Sequence, residues 1–236
     1  MAETYFIWKN IDSRNMGVVV TDYPPIIRPK ERVTEKTRPG VAGSLHVSEG
    51  EDVYDTYVRA CQCYTRPAAD ISAVIAWLRG SSQAVFGNEP TMAYTARIDN
   101  QISLDKMMRN HPHRSFTIPF VCQPFKQLKT PAADIVKTIS GQTITNPGTV
   151  FSLPIIKVEG SGDATLSVGG AYFELEGLTG GIIIDSTMPE CFNLDRSALL
   201  NDLMTGEFPT IKTGTSIVSW TGNITEVTIT PNWRWL

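Results

Sequence analysis

Residues 70–79 are the segment of this chain that carries the apolar spacing of an α-helix. The apolar residues that recur at i, i+3, i+4 and i+7, and so share one stripe, are Ile71, Val74, Ile75 and Leu78. Asp70 can accept hydrogen bonds from the amides of the first turn, and Gly80 supplies a residue suited to ending the helix. A single amphipathic helix needs an apolar surface to cover, and in this chain that surface is a predicted β-sheet.

Short apolar or alternating runs between turn residues predict strands through the rest of the first half. The predicted strands are residues 5–8, 18–20, 53–63, 84–86, 91–98 and 114–123. In the third of these, alternation places Arg59, Cys61 and Cys63 on one face of the strand. Residues 88–90 form a turn, and Pro124 is expected to end the last strand.

Glycines punctuate the second half of the chain. The strands predicted there are residues 138–139, 148–158, 164–168, 171–175, 181–184, 217–219 and 226–230. Residues 160–163 and 169–170 are expected to be hairpin turns, and residues 195–204 a short turn or one helical turn. Many short strands at this spacing favour a sandwich or jelly roll.

A polar stretch at residues 126–134 marks the predicted boundary between two domains, residues 1–129 and 130–236. The first carries 16 Lys and Arg against 13 Asp and Glu, a formal charge of +3, and the second carries 5 against 11, a charge of −6. Neither half has the large excess of Lys and Arg over Asp and Glu that is typical of a nucleic-acid-binding domain. The N-terminus lacks the pattern of a secretory signal and no apolar run is long enough for a transmembrane helix, so we expect synthesis in a cytoplasm.

The sequence offers little catalytic chemistry. There is no Gly-x-Ser-x-Gly elbow, no phosphate-binding loop ending in Gly-Lys-Ser/Thr, and no His-Glu-x-x-His. The histidines are His46, His111 and His113, and the cysteines are Cys61, Cys63, Cys122 and Cys191. Because these residues show no ligand spacing, we interpret the cysteines as buried free thiols. We therefore expect no enzyme activity, no cofactor and no metal site.

The clearest charged feature lies in residues 28–43, which are interpreted as a long loop or a projecting hairpin. Its five cations are Arg28, Lys30, Arg32, Lys36 and Arg38. Glutamates at positions 31 and 35 interleave with them, which is unlike a dedicated phosphate-binding surface. A protein–protein contact, a solvated loop and a nucleic-acid contact all stay open on this pattern.

Tryptophans are the other candidate binding feature, and the second half contains Trp220, Trp233 and Trp235. An exposed ring could stack on a sugar, whereas a buried ring would contribute to the core or to a subunit contact. The first possibility makes a carbohydrate-binding module, specific for host cell-wall polysaccharide, the alternative function.

The order of several short motifs along almost the whole chain resembles the distal tail proteins of long-tailed siphophages. In the first half these motifs are Trp8-Lys-Asn-Ile-Asp-Ser, Met16-Gly-Val-Val-Val, Lys30-Glu-Arg32, Arg38-Pro-Gly-Val-Ala-Gly-Ser-Leu45, Trp77-Leu-Arg-Gly80 and Phe120-Val-Cys-Gln-Pro-Phe125. In the second half they are Asn146-Pro-Gly-Thr149, Pro154-Ile-Ile-Lys-Val-Glu-Gly-Ser-Gly162, Ile184-Asp185-Ser, Gly206-Glu-Phe-Pro209, Trp220-Thr-Gly222 and Pro231-Asn-Trp-Arg234.

This resemblance implies a mainly β fold: an N-terminal β-sandwich with one α-helix, similar to a tail tube subunit, followed by a galectin-like β-sandwich. It also implies a structural hub at the virion tail tip (the baseplate), a six-fold ring that joins the tail tube to tip, fibre or receptor-binding proteins. The basic loop would correspond to a projecting hairpin that contacts a neighbouring subunit or the tube. DNA would pass through the ring lumen without specific binding.

Overall fold

The computed structural model describes residues 4–106 and 112–236, and these divide into two compact units between Lys129 and Thr130. Most elements are β-strands, with one α-helix among the described residues. The mainly β fold with one α-helix is therefore confirmed. Within the same residues, no helix is long and apolar enough to span a membrane.

One antiparallel sheet forms the framework of the first unit. The elements of the unit are β1 (Phe6–Trp8), β2 (Ile11–Asp12), a 3-10 helix (Ser13–Met16), β3 (Val18–Asp22), β4 (Val33–Thr37), β5 (Ser44–Ser48), β6 (Tyr57–Thr65), α1 (Ile71–Trp77), β7 (Gly80–Phe86), β8 (Met92–Ile98), β9 (Asp105–Lys106) and β10 (Arg114–Leu128). The strand order is β2-β1-β7-β8-β10-β6-β3, with β9 paired to β10. Within the described part of the chain, strands β4 and β5 pair only with each other, as a separate two-stranded sheet.

Helix α1 is fastened to strand β1 by two tryptophans. The indole Nε1 of Trp8 donates to the Trp77 carbonyl at 3.2 Å, and Nε1 of Trp77 donates to the Trp8 carbonyl at 3.1 Å. Phe6 stacks on Trp77 with ring centroids 5.4 Å apart, and the edges of Phe6 and Trp8 both meet Phe120. These reciprocal contacts satisfy both buried indole donors and explain why the helix lies where it does.

The helix is shorter than the predicted 70–79, and its apolar stripe is rotated. Asp70 is the N-cap as expected, because its side chain accepts from the amides of Ser72 and Ala73. Val74, Trp77 and Leu78 are the buried positions, whereas Ile75 is 54% exposed, so its placement in the buried stripe is wrong. Gly80 has φ +77° but lies at the first residue of β7, past the helix end at Trp77. The indole contacts of Trp77 decide which side of this short helix is buried.

Several strand limits in the first unit also differ from the pattern; β7, for example, begins at Gly80 instead of residue 84. Strand β6 begins at Tyr57 instead of residue 53, because the segment before it pairs with another part of the chain: Asp55 N donates to the Lys30 carbonyl at 2.9 Å. Strand β10 continues through Pro124 to Leu128, with a register irregularity between Cys122 and Lys126. A bulge leaves an unpaired residue, which is a position where proline's missing N–H is tolerated.

Three long strands dominate the second unit. Its elements are β11 (Ile135–Lys137), β12 (Gln142–Asn146), β13 (Ile155–Val168), β14 (Ala171–Asp185), β15 (Glu190–Phe192), a 3-10 helix (Asn201–Leu203), β16 (Met204–Gly206), β17 (Gly214–Thr230) and β18 (Arg234–Trp235). The main sheet has the order β11-β17-β13-β14-β15, with β12 on β17 and β16 on β14. The single helical turn agrees with the expectation for residues 195–204.

Short strands occur here as predicted, but the breaks predicted within β13, β14 and β17 are wrong, including the turn at residues 160–163. The chain turns at Gly169 and Gly170, which have φ +64° and +95°, but runs through the earlier glycines inside β13. A Cβ on Gly160 would lie 2.4 Å from the Asn223 carbonyl oxygen, and one on Gly222 would lie 2.4 Å from the Asp163 carbonyl oxygen. These glycines therefore permit close approach of β13 and β17 at bulges, and a glycine in a sequence does not distinguish this use from a turn.

Strand positions near residue 140 are corrected as well. Residues 138–139, predicted as a strand, lie between β11 and β12, and β12 itself has no counterpart in the prediction. Ile139 is 64% exposed, so this apolar residue lies in a surface turn and not in a buried strand.

Replacing Val74 and Ile75 separately tests the rotated stripe. We expect Val74→Ala to lower the free energy of unfolding of the first unit by about 2 kcal/mol, because it removes buried apolar surface and leaves a cavity. Ile75→Ala should change it by less than about 0.5 kcal/mol. Urea unfolding of the full chain measures both, and equal losses in the two variants would contradict the placement.

Candidate assembly surface

The five predicted cations lie along the hairpin formed by β4 and β5 and the leg that leads into it. Arg28 and Lys30 precede the hairpin, Lys36 is in β4 and Arg38 is in the connecting turn; all are exposed. Of the two alternatives for residues 28–43, a long loop or a hairpin, the structure has a hairpin at residues 33–48, preceded by a leg at residues 23–32. The predicted range ended at residue 43, just before β5, which forms the second strand of the hairpin.

Arg32 differs from the other four cations. Its Nε lies 3.0 Å from an Asp55 carboxylate oxygen and 3.8 Å from one of Glu49, both on the returning side of the hairpin. Within residues 4–106 and 112–236, no ion pair involves the other four. Arg32 therefore closes the base of the hairpin, while the remaining cations are available to a partner.

The two faces of the hairpin have different chemistry. Residues directly opposite each other in an antiparallel pair project to the same face, and Lys36 is opposite Leu45 while Thr34 is opposite Val47. Leu45 and Val47 are 46% and 41% exposed. We call this the Leu45 face, and it combines apolar side chains with a cation.

Glu35 and His46 occupy the opposite face, which we call the His46 face. His46 Nδ1 lies 3.5 Å from a Glu35 carboxylate oxygen, and its Nε2 lies 3.4 Å from the Ser44 hydroxyl. The polar groups of this face thus contact one another. The exposed apolar side chains of β4 and β5 lie on the Leu45 face; Val33, which is opposite Ser48 on the His46 face, is half-buried at the base of the hairpin.

No described residue of its own unit covers the hairpin. Residues 34–51 are all exposed, and β4 and β5 pair with no strand of the main sheet. A two-stranded hairpin alone is marginally stable in water, and adjacent exposed apolar side chains are typical of a contact surface. This geometry makes the Leu45 face the candidate assembly surface.

A buried arginine lies at the root of the leg. Arg59, 1% exposed, has its guanidinium carbon 4.6 Å from the Phe86 ring centroid and 4.4 Å from that of Tyr94. Its Nη2 donates to the Pro24 carbonyl at 3.3 Å, and its Nη1 donates to Glu89 Oε2 at 3.1 Å. In the sequence, Arg59 alternates with Cys61 and Cys63, and both cysteines are buried. This alternation is the sequence signal that the Arg59 side chain faces inward.

The Glu89 carboxylate accepts hydrogen bonds from side chains on three strands. Besides Arg59 in β6, the Tyr94 hydroxyl of β8 donates to it at 2.6 Å and the Lys126 ammonium of β10 donates at 3.0 Å. Burial opposes ionisation of this carboxyl, but the hydrogen bonds from Tyr94, Lys126 and Arg59 outweigh it and hold the pKa of Glu89 below its usual value. The sequence placed Glu89 only in a turn, so this cluster is a finding of the structure.

The cysteines are free and buried, as expected. Cys61 and Cys63 share a face, with their sulfur atoms 3.7 Å apart, and hydrogen bonding with Cys61 together with burial raises the pKa of Cys63. Among the described residues, no group of three or more His, Cys, Asp or Glu is arranged to hold a metal ion; His111 lies outside them.

The tryptophans of the second unit do not form an exposed platform. Trp233 is 7% exposed, and Trp220 and Trp235 are partly buried against the core of that unit. A sugar ring needs an open aromatic face for stacking, so these three rings favour the interpretation as core residues.

No family model matches this chain, and no curated protein sequence matches it. Among solved structures, the Dit protein (gp 19.1) of phage SPP1, described as a paradigm of the hub adsorption apparatus in phages infecting Gram-positive bacteria, superposes with a TM-score of 0.75. The match covers 99% of each chain at 15% identity. The phage P2 baseplate in its activated conformation with Ca matches with a TM-score of 0.44 at 10% identity, covering 97% of this chain and 98% of that one. The first match shows a common fold over the full chain.

The Glu89 cluster predicts an acid-dependent stability. Because the pKa of Glu89 is depressed in the folded state, its contribution is present above the unfolded pKa of about 4.3 and is lost as the pH falls through the folded value. Glu89→Gln should lower the free energy of unfolding by about 3 kcal/mol at pH 7. The difference from wild type should shrink below about pH 4.

Urea unfolding between neutral and acidic pH measures this difference. Glu176→Gln, which neutralises an exposed carboxyl in the second unit, is the matched control and should have little effect. A deficit in Glu89→Gln that stays constant from neutral to acidic pH would show that ionisation of Glu89 does not stabilise the cluster.

Proposed function

We propose that this chain is a non-enzymatic hub protein of a long-tailed phage, located at the virion tail tip. The observation that carries the proposal is the full-length fold match to a phage hub protein, together with a projecting hairpin whose Leu45 face is uncovered. The motif order along the sequence points to the same class.

The geometry of the hairpin supports ring formation. A hairpin that projects from one copy and contacts a different surface on the next copy makes a head-to-tail interface, which closes into a ring when the rotation allows it. The resemblance to distal tail proteins favours six copies. In this arrangement, the Leu45 face contacts a second copy of the chain, and the four unpaired cations add electrostatic attraction.

Residues 1–129 would build the ring and residues 130–236 would form a galectin-like sandwich on its outside. The ring would join the tail tube to tip, fibre or receptor-binding proteins, and DNA would pass through the lumen without specific binding. The formal charge of only +3 on residues 1–129 and the glutamates among the hairpin cations both support a lumen that does not hold DNA tightly.

A carbohydrate-binding role is not favoured. Its sequence support was a set of three tryptophans, and all three are buried or partly buried in the second unit.

Changes on the two faces of the hairpin test the assembly role. Replacing Leu45 and Val47 with serine should weaken self-association at least about tenfold, since burying one such side chain contributes about 1.5–3 kcal/mol. The control replaces Ser44 and His46 with alanine on the opposite face and should leave association unchanged. Sedimentation and negative-stain imaging provide the measurement.

Equal loss in both hairpin variants would contradict a specific role for the Leu45 face. A wild-type chain that stays monomeric at all concentrations, even with the tail tube protein present, would overturn the ring itself.

Charge provides an independent test. Replacing Arg28, Lys30, Lys36 and Arg38 with serine, while keeping Arg32, should reduce association and flatten its dependence on salt concentration. Light scattering across a salt series measures both quantities. A ring unchanged in amount and in salt dependence would refute a contact role for these cations, and tight, salt-sensitive binding of DNA by the wild type would contradict the passive lumen.

A further inference from the structure

We propose that Arg59 is a positioning residue that fixes the direction in which the hairpin projects from its unit. This inference rests on the proposed role of the hairpin in assembly. Its physical basis is the hydrogen bond from the buried guanidinium to the Pro24 carbonyl, at the start of the leg.

The outgoing leg is stiff where Arg59 holds it. Pro24 is buried and is followed by Pro25, so the backbone φ angle is restricted at both positions. Prolines have no N–H, which leaves carbonyls as the backbone groups through which this stretch can be held. A hydrogen bond to the Pro24 carbonyl therefore sets the direction of a segment that cannot readily bend.

The returning leg, residues 49–56 between β5 and β6, is held by a different contact. Tyr54 meets Phe125, at the irregularity of β10, with ring centroids 5.8 Å apart. Tyr54 also forms a β-bridge with Glu31 of the outgoing leg, and the Lys30 carbonyl accepts from Asp55 N. Both legs are thus tied to each other and, separately, to the main sheet.

Stability alone does not account for an arginine at this position. Burying a charged group is costly, and a well-packed apolar residue in place of a buried ion pair is often neutral or stabilising. Arg59 carries an added cost, because its Nε is buried without a hydrogen-bond partner among the residues that the structure describes. What an apolar residue could not supply is the simultaneous hydrogen bonding of Glu89 and of the Pro24 carbonyl, which links the sheet to the leg.

The guanidinium is itself held rigidly. Phe86 and Tyr94 stack against it, and Glu89 is fixed by Lys126 and Tyr94. An anchor of this kind keeps the hairpin in its binding-competent direction before association. If only about a tenth of molecules held that direction, the apparent affinity would fall about tenfold.

Spin labels on the full chain measure the direction without requiring a ring. Cysteines introduced at Ser44 in the hairpin and Gln83 in β7 occupy exposed positions, while the four native cysteines are buried. Labelled protein diluted with unlabelled protein reports only the distance within one copy. We expect a single narrow distance distribution in the wild type and a broad or shifted one in Arg59→Met, with association weakened about tenfold.

Two further variants keep the test decisive. Tyr94→Phe removes a donor to Glu89 but leaves the Pro24 contact, so it is the matched control and should retain the narrow distribution. Tyr54→Ala loosens the returning leg at a half-buried position and should broaden the distribution even where Arg59→Met fails to fold.

The outcomes separate this inference from the proposed function. A narrow, unchanged distribution in folded Arg59→Met would overturn the positioning role, whatever the ring does, and so would a broad distribution in the wild type. Where Arg59→Met does not fold, a narrow distribution in Tyr54→Ala would contradict the premise that contacts of the legs set the direction. Broadening in these variants with unchanged association would support the anchor and count instead against the hairpin as the assembly contact.

Discussion

One constraint links the main sheet of the first unit to its hairpin: a buried guanidinium must be neutralised in place, because its charge has been removed from water. Arg59 meets this requirement by drawing Glu89, the Pro24 carbonyl and two aromatic rings around it. Glu89 in turn brings Lys126 and Tyr94 to the same point. One buried charge thus joins strands β6, β8 and β10 to the leg of the hairpin.

The hairpin stands in contrast to that satisfied interior. The main sheet and α1 bury their apolar side chains in a common core, with the Trp8 and Trp77 indoles hydrogen-bonded to each other's backbone. The Leu45 face has no such cover, although the base beneath it is closed by Arg32 and Asp55. A rigid root and an uncovered tip are the properties expected of an element that completes its packing only in an assembly.

The sequence predicted the elements whose signal is local. The helix could be found because Asp70 caps it and because apolar residues, Val74 among them, recur at helical spacing. Both signals depend on residues that are close in the sequence. The prediction that Ile75 is buried was wrong, because Trp77 determines which side of the helix meets β1. Gly160 was misread as a turn residue because glycine serves turns and close strand contacts equally, and the partner strand, which includes Asn223, lies far along the chain.

By itself, the sequence determined the mainly β class, the one helix, the buried thiols and the place of the basic segment, since each follows from composition or from periodicity over a few residues. Only the tertiary structure decided that Arg59 and Glu89 form a pair and that Leu45 and Val47 share one uncovered face. It also decided that Arg32 is already neutralised by its own chain. These features join residues that are distant in the chain, and an ion pair or strand register between such residues is fixed by how the whole unit packs.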